Sequence, residues 1–525
     1  MPHSLLFVSD DTSFRVTLFR VNLALVLLLA SYAGVRCEAG IIVDQTQWGN
    51  ASTTGTLAWA IAKANATPGA DVIDINLASG TQININSAVP VLSSFISEIT
   101  ETLTINGNGA VLWGDPAFVT SGGLIKNKYE VSEFRGSPTG TDVLVQEAFS
   151  FTKVAEGVEL TVNDLSADGV NGFVQLEKNA VANLTNLTVK NTVPYGYGSR
   201  SVVDASDGSV ANLKRVRMER INMLEQLVPD AEYAWVGAIA GQNATLNMEE
   251  SILTGSSSSV GGVNWLGGTA NIVSSIFDDN AGGLSITDTV DQEGVLNVTN
   301  SLFRMDGSSG TSRIQAALGG EANIVASTIQ AQTLLIDDSN ATGYTSSGVP
   351  LRAFAGGAIH LQQSVVSLLN HGEFGVDNDP AYDSGPLSDP DLINTPGSFT
   401  ADAATYVSPT STQSLADLQS LFGQSNLLTG PAFHTSTFSG IELYLPLPQG
   451  ANPIGSLIDA VTDANGSNQL INPIDGSAIL FDVYGNHRTT NGFRDAGAVQ
   501  HVPEPGSFAI WSLAGLVAVR RRRRS

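Results

Sequence analysis

The chain has 525 residues, of which 53 are glycine, 7% aromatic and 14% charged, and its net charge is −25. So few charges among so many small residues argue against a helical protein and fit many short strands joined by tight turns. The acidity disfavours nucleic acid as a partner, because phosphate binding needs clustered Lys and Arg; it suits solubility or a divalent cation such as Ca2+.

The two ends hold much of the positive charge. Residues 40–501 alone carry 17 basic and 46 acidic side chains, a net of −29. The single cysteine, Cys37, lies in the N-terminal segment, so a disulfide framework is excluded and stability must come from packing. No organic cofactor is implied.

Residues 1–39 read as a leader. An apolar run over 21–33 follows Arg15 and Arg20, the pattern of a secretory signal peptide handled by the export machinery, with cleavage expected near Ala33 or after Ala39. Then Leu57, Ala60, Ile61 and Ala64 share one helical face, and Pro68-Gly69 stops the helix before a strand over Val72–Leu77. A short amphipathic helix at this point would cap the open end of a stack of strands.

Gly55-Thr56-Leu57, Ala60-Ile61, Ala64-Asn65, Pro68-Gly69-Ala70-Asp71, Ile73 and Leu103-Thr104-Ile105-Asn106-Gly107-Asn108-Gly109-Ala110 resemble the opening of secreted bacterial β-helix proteins. Ala58 stands where that pattern has Arg. The resemblance implies a pectate-lyase-like (pectin lyase-like), right-handed parallel β-helix, similar to bacterial surface proteins of the choice-of-anchor Q type.

The body over 40–370 is periodic. Asn271-Ile272-Val273-Ser274-Ser275-Ile276-Phe277 recurs at Asn297–Phe303 and Asn323–Ile329, in steps of 26 residues. A period of this size filled with β-branched alternating segments predicts an all-β solenoid of stacked parallel strands. Aligning Asp164, Asn186, Arg215, Ser251, Ser275, Ser301, Ser327 and Ser364 gives steps of 22, 29, 36, 24, 26, 26 and 37. The long steps place loops at 191–209, 223–240 and 333–356 on one side, where a groove is expected. Alternation points Ile272, Val298 and Ile324 inward, with Ile276 and Leu302 beside them and Thr328 replacing the aliphatic residue in the third coil. Ser274, Asn300 and Ala326 fall at the turn between two strands, where an inward Asn would hydrogen-bond turn backbone.

Residues 371–440 break the pattern with Asp377, Asp379, Asp383, Asp389 and Asp391 among prolines, and Ser414–Phe422 reads as a short helix; this is expected to be an acidic surface insertion. Over 441–501, Asn452-Pro453-Ile454, Asp482-Val483-Tyr484-Gly485-Asn486-His487-Arg488 and Asp495-Ala496-Gly497-Ala498-Val499-Gln500 resemble the closing strands of the same secreted families. These would be closing coils, with Arg488 paired to Asp482 or Asp495 to pin the last one.

The C-terminal segment 502–525 holds Pro503, Glu504 and Pro505, an apolar run from Phe508 to Val519, then Arg520, Arg521, Arg522, Arg523 and Arg524. The run is short for a membrane span, and the arginine block would hold it at the cytoplasmic face during export. This is similar to the PEP-CTERM sorting signal. That resemblance implies transient membrane contact through a transmembrane helix, processing as an exosortase substrate, and a cell surface or matrix address with exopolysaccharide in a Gram-negative-type envelope.

Three functions fit. The first is a non-catalytic surface or matrix protein. The second is a polysaccharide lyase or glycoside hydrolase acting on acidic polysaccharide, which needs stacked carboxylates with an Arg or Lys base. The 26-residue register sets Asp278 beside Arg304 and Asn280 beside Asp306, with Asp279 next to them, on coils ~4.8 Å apart. The third is a carbohydrate-binding adhesin using loop aromatics such as Tyr195, Tyr197, Tyr233 and Trp235.

Overall fold

The structure, a computed structural model, describes residues 40–85, 95–114, 118–121, 124–127, 132–133, 144–145, 150–170, 172–192, 201–219, 238–254, 262–278, 282–305, 311–332, 351–370, 375–377, 398–402, 405–408, 433–438, 441–446, 461–462, 469–488, 493–494 and 497–498. Gly40 and Ile41 belong to a first unit, Met1–Ile41, and the solenoid to a second, Ile42–Ser525.

The solenoid is a parallel β-helix. Each coil runs through three faces, and each strand hydrogen-bonds in parallel to its counterpart in the next coil. One coil, for example, has Gly172–Leu176 on face 1, Val181–Thr185 on face 2 and Thr188–Lys190 on face 3. In two coils faces 1 and 2 are one continuous strand, Ile239–Glu249 and Val263–Val273. Among the described residues ten coils cover all three faces, the last being Gly375–Asp377, Ser398–Ala401 and Tyr406–Ser408. The stack therefore continues past residue 370 into the segment expected to be an insertion. Its strands there are too short, and too widely separated by 378–397, for alternation to show. Ser414–Phe422 lies outside the described residues.

Alternation fills the interior. Ile272, Val298 and Ile324 are completely buried on face 2, each contributing roughly 1.5–3 kcal/mol through removal from water. On face 3 the inward residues are Phe277, Phe303 and Ile329, with the two phenyl rings stacked at 4.8 Å. Ile276 was expected inward but is only half-buried; the bend before it shifts the alternation by one residue.

That bend is a single left-handed residue between faces 2 and 3: Asp164, Asn186, Arg215, Glu250, Ser274, Asn300, Ala326 and Gln363, with φ between 46 and 54°. The expected alignment therefore slips by one residue from Ser251 onward, because the serines follow the bend. Residues other than Asn and Asp pay roughly 1–2 kcal/mol in this conformation, and the buried serines help hold it. The N–H of Ser251, Ser275, Ser301 and Ser327 donates to the hydroxyl of the next coil's serine at 3.1–3.2 Å. Each of these hydroxyls donates to the carbonyl two residues earlier. In earlier coils Leu165, Leu187 and Val216 fill the same place with apolar bulk.

A second ladder runs along the outside of face 2. The amides of Asn183, Asn212, Asn247, Asn271, Asn297 and Asn323 form a continuous chain, each Nδ2 donating to the preceding Oδ1 at 2.8–3.3 Å. Identical amides stack at the strand spacing because each carries both a donor and an acceptor.

The first coil is covered by helix α1 (Leu57–Ala66), whose buried face is Leu57, Ala60, Ile61 and Ala64, as alternation predicts. Thr56 is its N-cap and accepts from Trp59 N. The strand after it is Asp71–Ile75. Asn65 ties the helix to the stack: its Nδ2 donates to Glu98 O at 2.7 Å and its Oδ1 accepts from Thr100 N at 3.0 Å. Gly107 follows the next strand because a Cβ there would lie 2.5 Å from Asp164 O of the neighbouring coil.

The described parts of 441–501 add no rung to the three parallel faces, contrary to the closing-coil expectation. Ile441–Pro446 pairs antiparallel with Phe433–Phe438 and Val461–Thr462 with Phe493–Arg494, while 469–488 and 497–498 lie along the bend between faces 2 and 3. Asn472 donates to Glu249, Asn300 donates to Phe481 O, and Ala498 N donates to Thr328 Oγ1. Asn300 thus bonds backbone, but that of the returning chain, and the outward Thr328 is a docking point. Arg488 does pin this segment, through Asn300 and Gly497 O. The Asp482 carboxylate accepts from Tyr484 N and Asn486 N in its own turn, and Asp495 lies outside the described residues.

Asn65→Ala should lower stability by about 1–2 kcal/mol, as two backbone groups lose their partner. A denaturant midpoint equal to that of the parent would contradict this role.

Candidate functional site

Of the four residues expected to form a catalytic group, two are brought together. Asp278 and Arg304 are register partners on adjacent face 3 strands. The guanidinium Nε donates to Asp278 Oδ1 and Nη2 donates to Oδ2, the latter at 2.8 Å. Both side chains are about a quarter exposed, at 21% and 26%. Such a fork-on-fork pair occupies both carboxylate oxygens and two guanidinium donors, so it is arranged for cohesion between coils and is worth ~0–1 kcal/mol at this exposure. Asp279 and Asp306 lie outside the described residues, as do Asn280, Tyr195, Tyr197, Tyr233 and Trp235.

The three predicted loops share one corner with a fourth segment, 114–149, that the spacing does not indicate. The chain leaves face 3 at Trp113, Lys190, Glu219 and Gln332, and rejoins face 1 at Ser150, Val203, Ile239 and Leu351. By contrast, the eight bends with a left-handed residue pass from face 2 to face 3 in two residues, as between Thr185 and Thr188. Insertions in such a stack gather at one corner, here between faces 3 and 1; the segment 378–397 instead joins face 1 to face 2.

Face 1 carries a polar strip. In register outside it stand Gln175, Asp204, Ala240, Asn264, Ser285 and Gln315. The strip dips at Ala240, whose short side chain stands between Asp204 and Asn264; beneath it Gly241 faces inward and the completely buried Trp265 ring fills the space a Cβ would need. The depression has a volume of about 470 Å³ and is lined by Glu177, Lys178, Asp204, Asp207, Gln242 and Asn264, with Ser201 at its edge. Ser201 is 2% exposed, and its hydroxyl has no hydrogen-bond partner among the described residues. Asn243 holds one wall, donating to Asp207 and accepting from Thr289. Lys153 bridges Glu98 and Glu177 at the near end.

This set is chemically coherent. Carboxylates accept, and primary amides both donate and accept, which matches paired hydroxyls on a sugar ring. Three carboxylates against one lysine in the lining make an anionic sugar unfavourable there. Sequence reading missed this place because its residues come from successive coils with irregular spacing and form no motif.

A second acidic group lies near Asp288. Burial pushes its carboxyl above the ordinary carboxylate range; the Gly294 N–H opposes this, while Glu293 and Glu321 add to it. Among the described residues no set of three or more His, Cys, Asp or Glu is placed to hold a metal ion. Most of the acidic stretch over 377–391 lies outside them.

No family model, curated protein or solved structure matches the chain. The functional reading therefore rests on the chain's own residues and geometry.

Because the folded state raises the Asp288 pKa, the ionised carboxylate costs stability above that pKa, and the cost disappears as pH falls through it. Asp288→Asn keeps an acceptor for Gly294 N. It should therefore melt higher than the parent at neutral pH and converge with it in acid; a lower melting point at neutral pH would refute this.

Proposed function

We propose that this chain is an exported, non-catalytic protein of the cell surface or extracellular matrix that associates with polysaccharide through the depression on face 1. The observation that carries the reading is the lining itself: Asp204, Asp207, Glu177, Gln242 and Asn264 converge on one concave surface beside the corner from which the long loops leave. Uncharged sugars are the better ligand, since the excess of carboxylates repels uronates. This departs from the acidic polysaccharide that a lyase would need. The occupied Asp278–Arg304 pair also supports a scaffold in which charges bind coil to coil.

The address is part of the proposal. The leader over 1–39 would export the chain, and Pro503-Glu504-Pro505 with the apolar run and Arg520–Arg524 would act as a PEP-CTERM-type sorting signal processed by an exosortase. Among the described residues no helix is long and apolar enough to cross a membrane; the tail lies outside them.

Three measurements test these points. In affinity electrophoresis of residues 40–501, a neutral polysaccharide should retard the protein more than a uronate polymer. Asp204→Ala with Asn264→Ala should weaken that retention by about tenfold or more, ~1.4 kcal/mol; equal retention of parent and variant would remove the site. With uronate polymers and Ca2+, no unsaturated product should accumulate; turnover that vanished in Asp279→Asn or Asp278→Asn would replace the scaffold reading with a lyase. Deleting 503–525 should release the protein into the medium or block its maturation, and unchanged localisation would refute the sorting role.

A further inference from the structure

Outside the depression, the densest polar construction among the described residues lies where the chain returns along the bend between faces 2 and 3. Arg488 is 1% exposed, and its Nη1 and Nη2 donate to Asn300 Oδ1 and Gly497 O. Asn300 is completely buried and uses its whole amide: Nδ2 donates to Ser274 Oγ at 2.8 Å and to Phe481 O at 2.9 Å while Oδ1 receives Arg488. The residues at the same bend in neighbouring coils, Ser274 and Ala326, are too short to do both. A buried guanidinium must have its donors satisfied, so this arrangement selects one coil as the socket.

Two further contacts fix the same stretch. Gly497 N donates to Gln363 O at 2.9 Å and Ala498 N donates to Thr328 Oγ1 at 2.9 Å. Gly497 has φ +84°, and a Cβ there would lie 2.5 Å from Thr328 Oγ1 and 3.1 Å from a Val365 methyl, so only glycine lets the chain sit this close. Upstream, Asn472 Nδ2 donates to Glu249 at 2.6 Å. The segment thus spans the coils of Glu249, Ser274, Asn300, Thr328 and Gln363.

We infer that residues 469–488 with 497–498 are a clasp that fixes the point from which the C-terminal tail starts. The last described residues, Gly497 and Ala498, lie on the side of the solenoid, at the corner between faces 2 and 3 and at the level of Thr328 and Gln363. From Ala498 to Pro503 the chain can reach at most roughly 17 Å, so the sorting segment starts within that distance of the corner. A molecule held by its tail is held by this flank, and the depression on face 1, with the loop corner next to it, stays open to partners. The orientation rests on the sorting role proposed above; the clasp itself does not.

The two parts are tested separately in the full chain with Cys37→Ser. For the clasp, Gly497→Val and Arg488→Ala should each strip amide-exchange protection from 469–488 while the coil amides over 263–273 and 294–299 keep theirs. Thr328→Cys with Ala498→Cys should form a disulfide in the native protein and restore protection to the Arg488→Ala variant. Retained protection over 469–488 in Gly497→Val, or failure of the native cysteine pair to oxidise, would overturn the clasp. If a variant fails to fold at all, the cysteine pair in the parent decides the matter.

For the orientation, single cysteines at Glu156, exposed at the end of a face 1 strand and outside the lining of the depression, and at Asp475, also exposed, are labelled with a bulky maleimide. On cells, Glu156→Cys should react as fast as in released protein, while Asp475→Cys should react several-fold more slowly. Equal rates at Asp475 on and off the cell would overturn the orientation. If deleting 503–525 does not change the cell-bound fraction, it is the sorting reading that fails, and the exchange and disulfide results on the clasp stand unaffected.

Discussion

Parallel backbone pairing between coils at ~4.8 Å sets what every other group in this chain can do. Once a coil lies in register on its neighbour, a residue type repeated at one position becomes a column. Aliphatic residues then form the core, asparagines form an external amide ladder, and serines after the bend bond to one another through alternating backbone and hydroxyl groups. The columns are cooperative in a physical sense, since each amide or hydroxyl is satisfied only if the next coil is present. This explains how a chain without disulfides sustains so long a stack.

The same constraint explains where irregularity is placed. The two-residue bends between faces 2 and 3 leave no room for additional chain, and four of the long segments leave instead between faces 3 and 1. The bend is also where the stack exposes a line of carbonyls and short polar side chains, and there the returning C-terminal segment lies. Thr328 shows how the two ladders meet the clasp. An aliphatic residue at that position would bury more carbon, but the hydroxyl is what accepts Ala498 N. Asn300 does the same for Arg488, at a position where Ser274 and Ala326 are too short to reach the returning chain.

Charge is used in two ways. Pairs such as Asp278–Arg304 and Lys214–Glu249 link neighbouring coils and are mostly local. The face 1 depression instead gathers Glu177, Asp204 and Asp207 around a concave surface with amides and one lysine. An acidic concavity with both donors and acceptors is better matched to hydroxyl groups than to anions.

Much of the fold was legible before any coordinates. The 26-residue recurrence at Asn271, Asn297 and Asn323 identified the coils, and the spacing of Leu57, Ala60, Ile61 and Ala64 identified the cap, because both depend on local periodicity. The earlier rungs of the asparagine ladder, Asn183, Asn212 and Asn247, were hidden by loops that change the spacing to 29, 35 and 24 residues. The register slip at Ser251 had a similar cause: the bend is one residue long, and several side chains can occupy it. The depression and the clasp were decided by tertiary structure alone, the first because its walls come from successive coils and the second because Arg488 finds Asn300 188 residues away. Periodicity is a property of neighbours in sequence, whereas a concave surface or a returning segment depends on which coils the stack has set side by side.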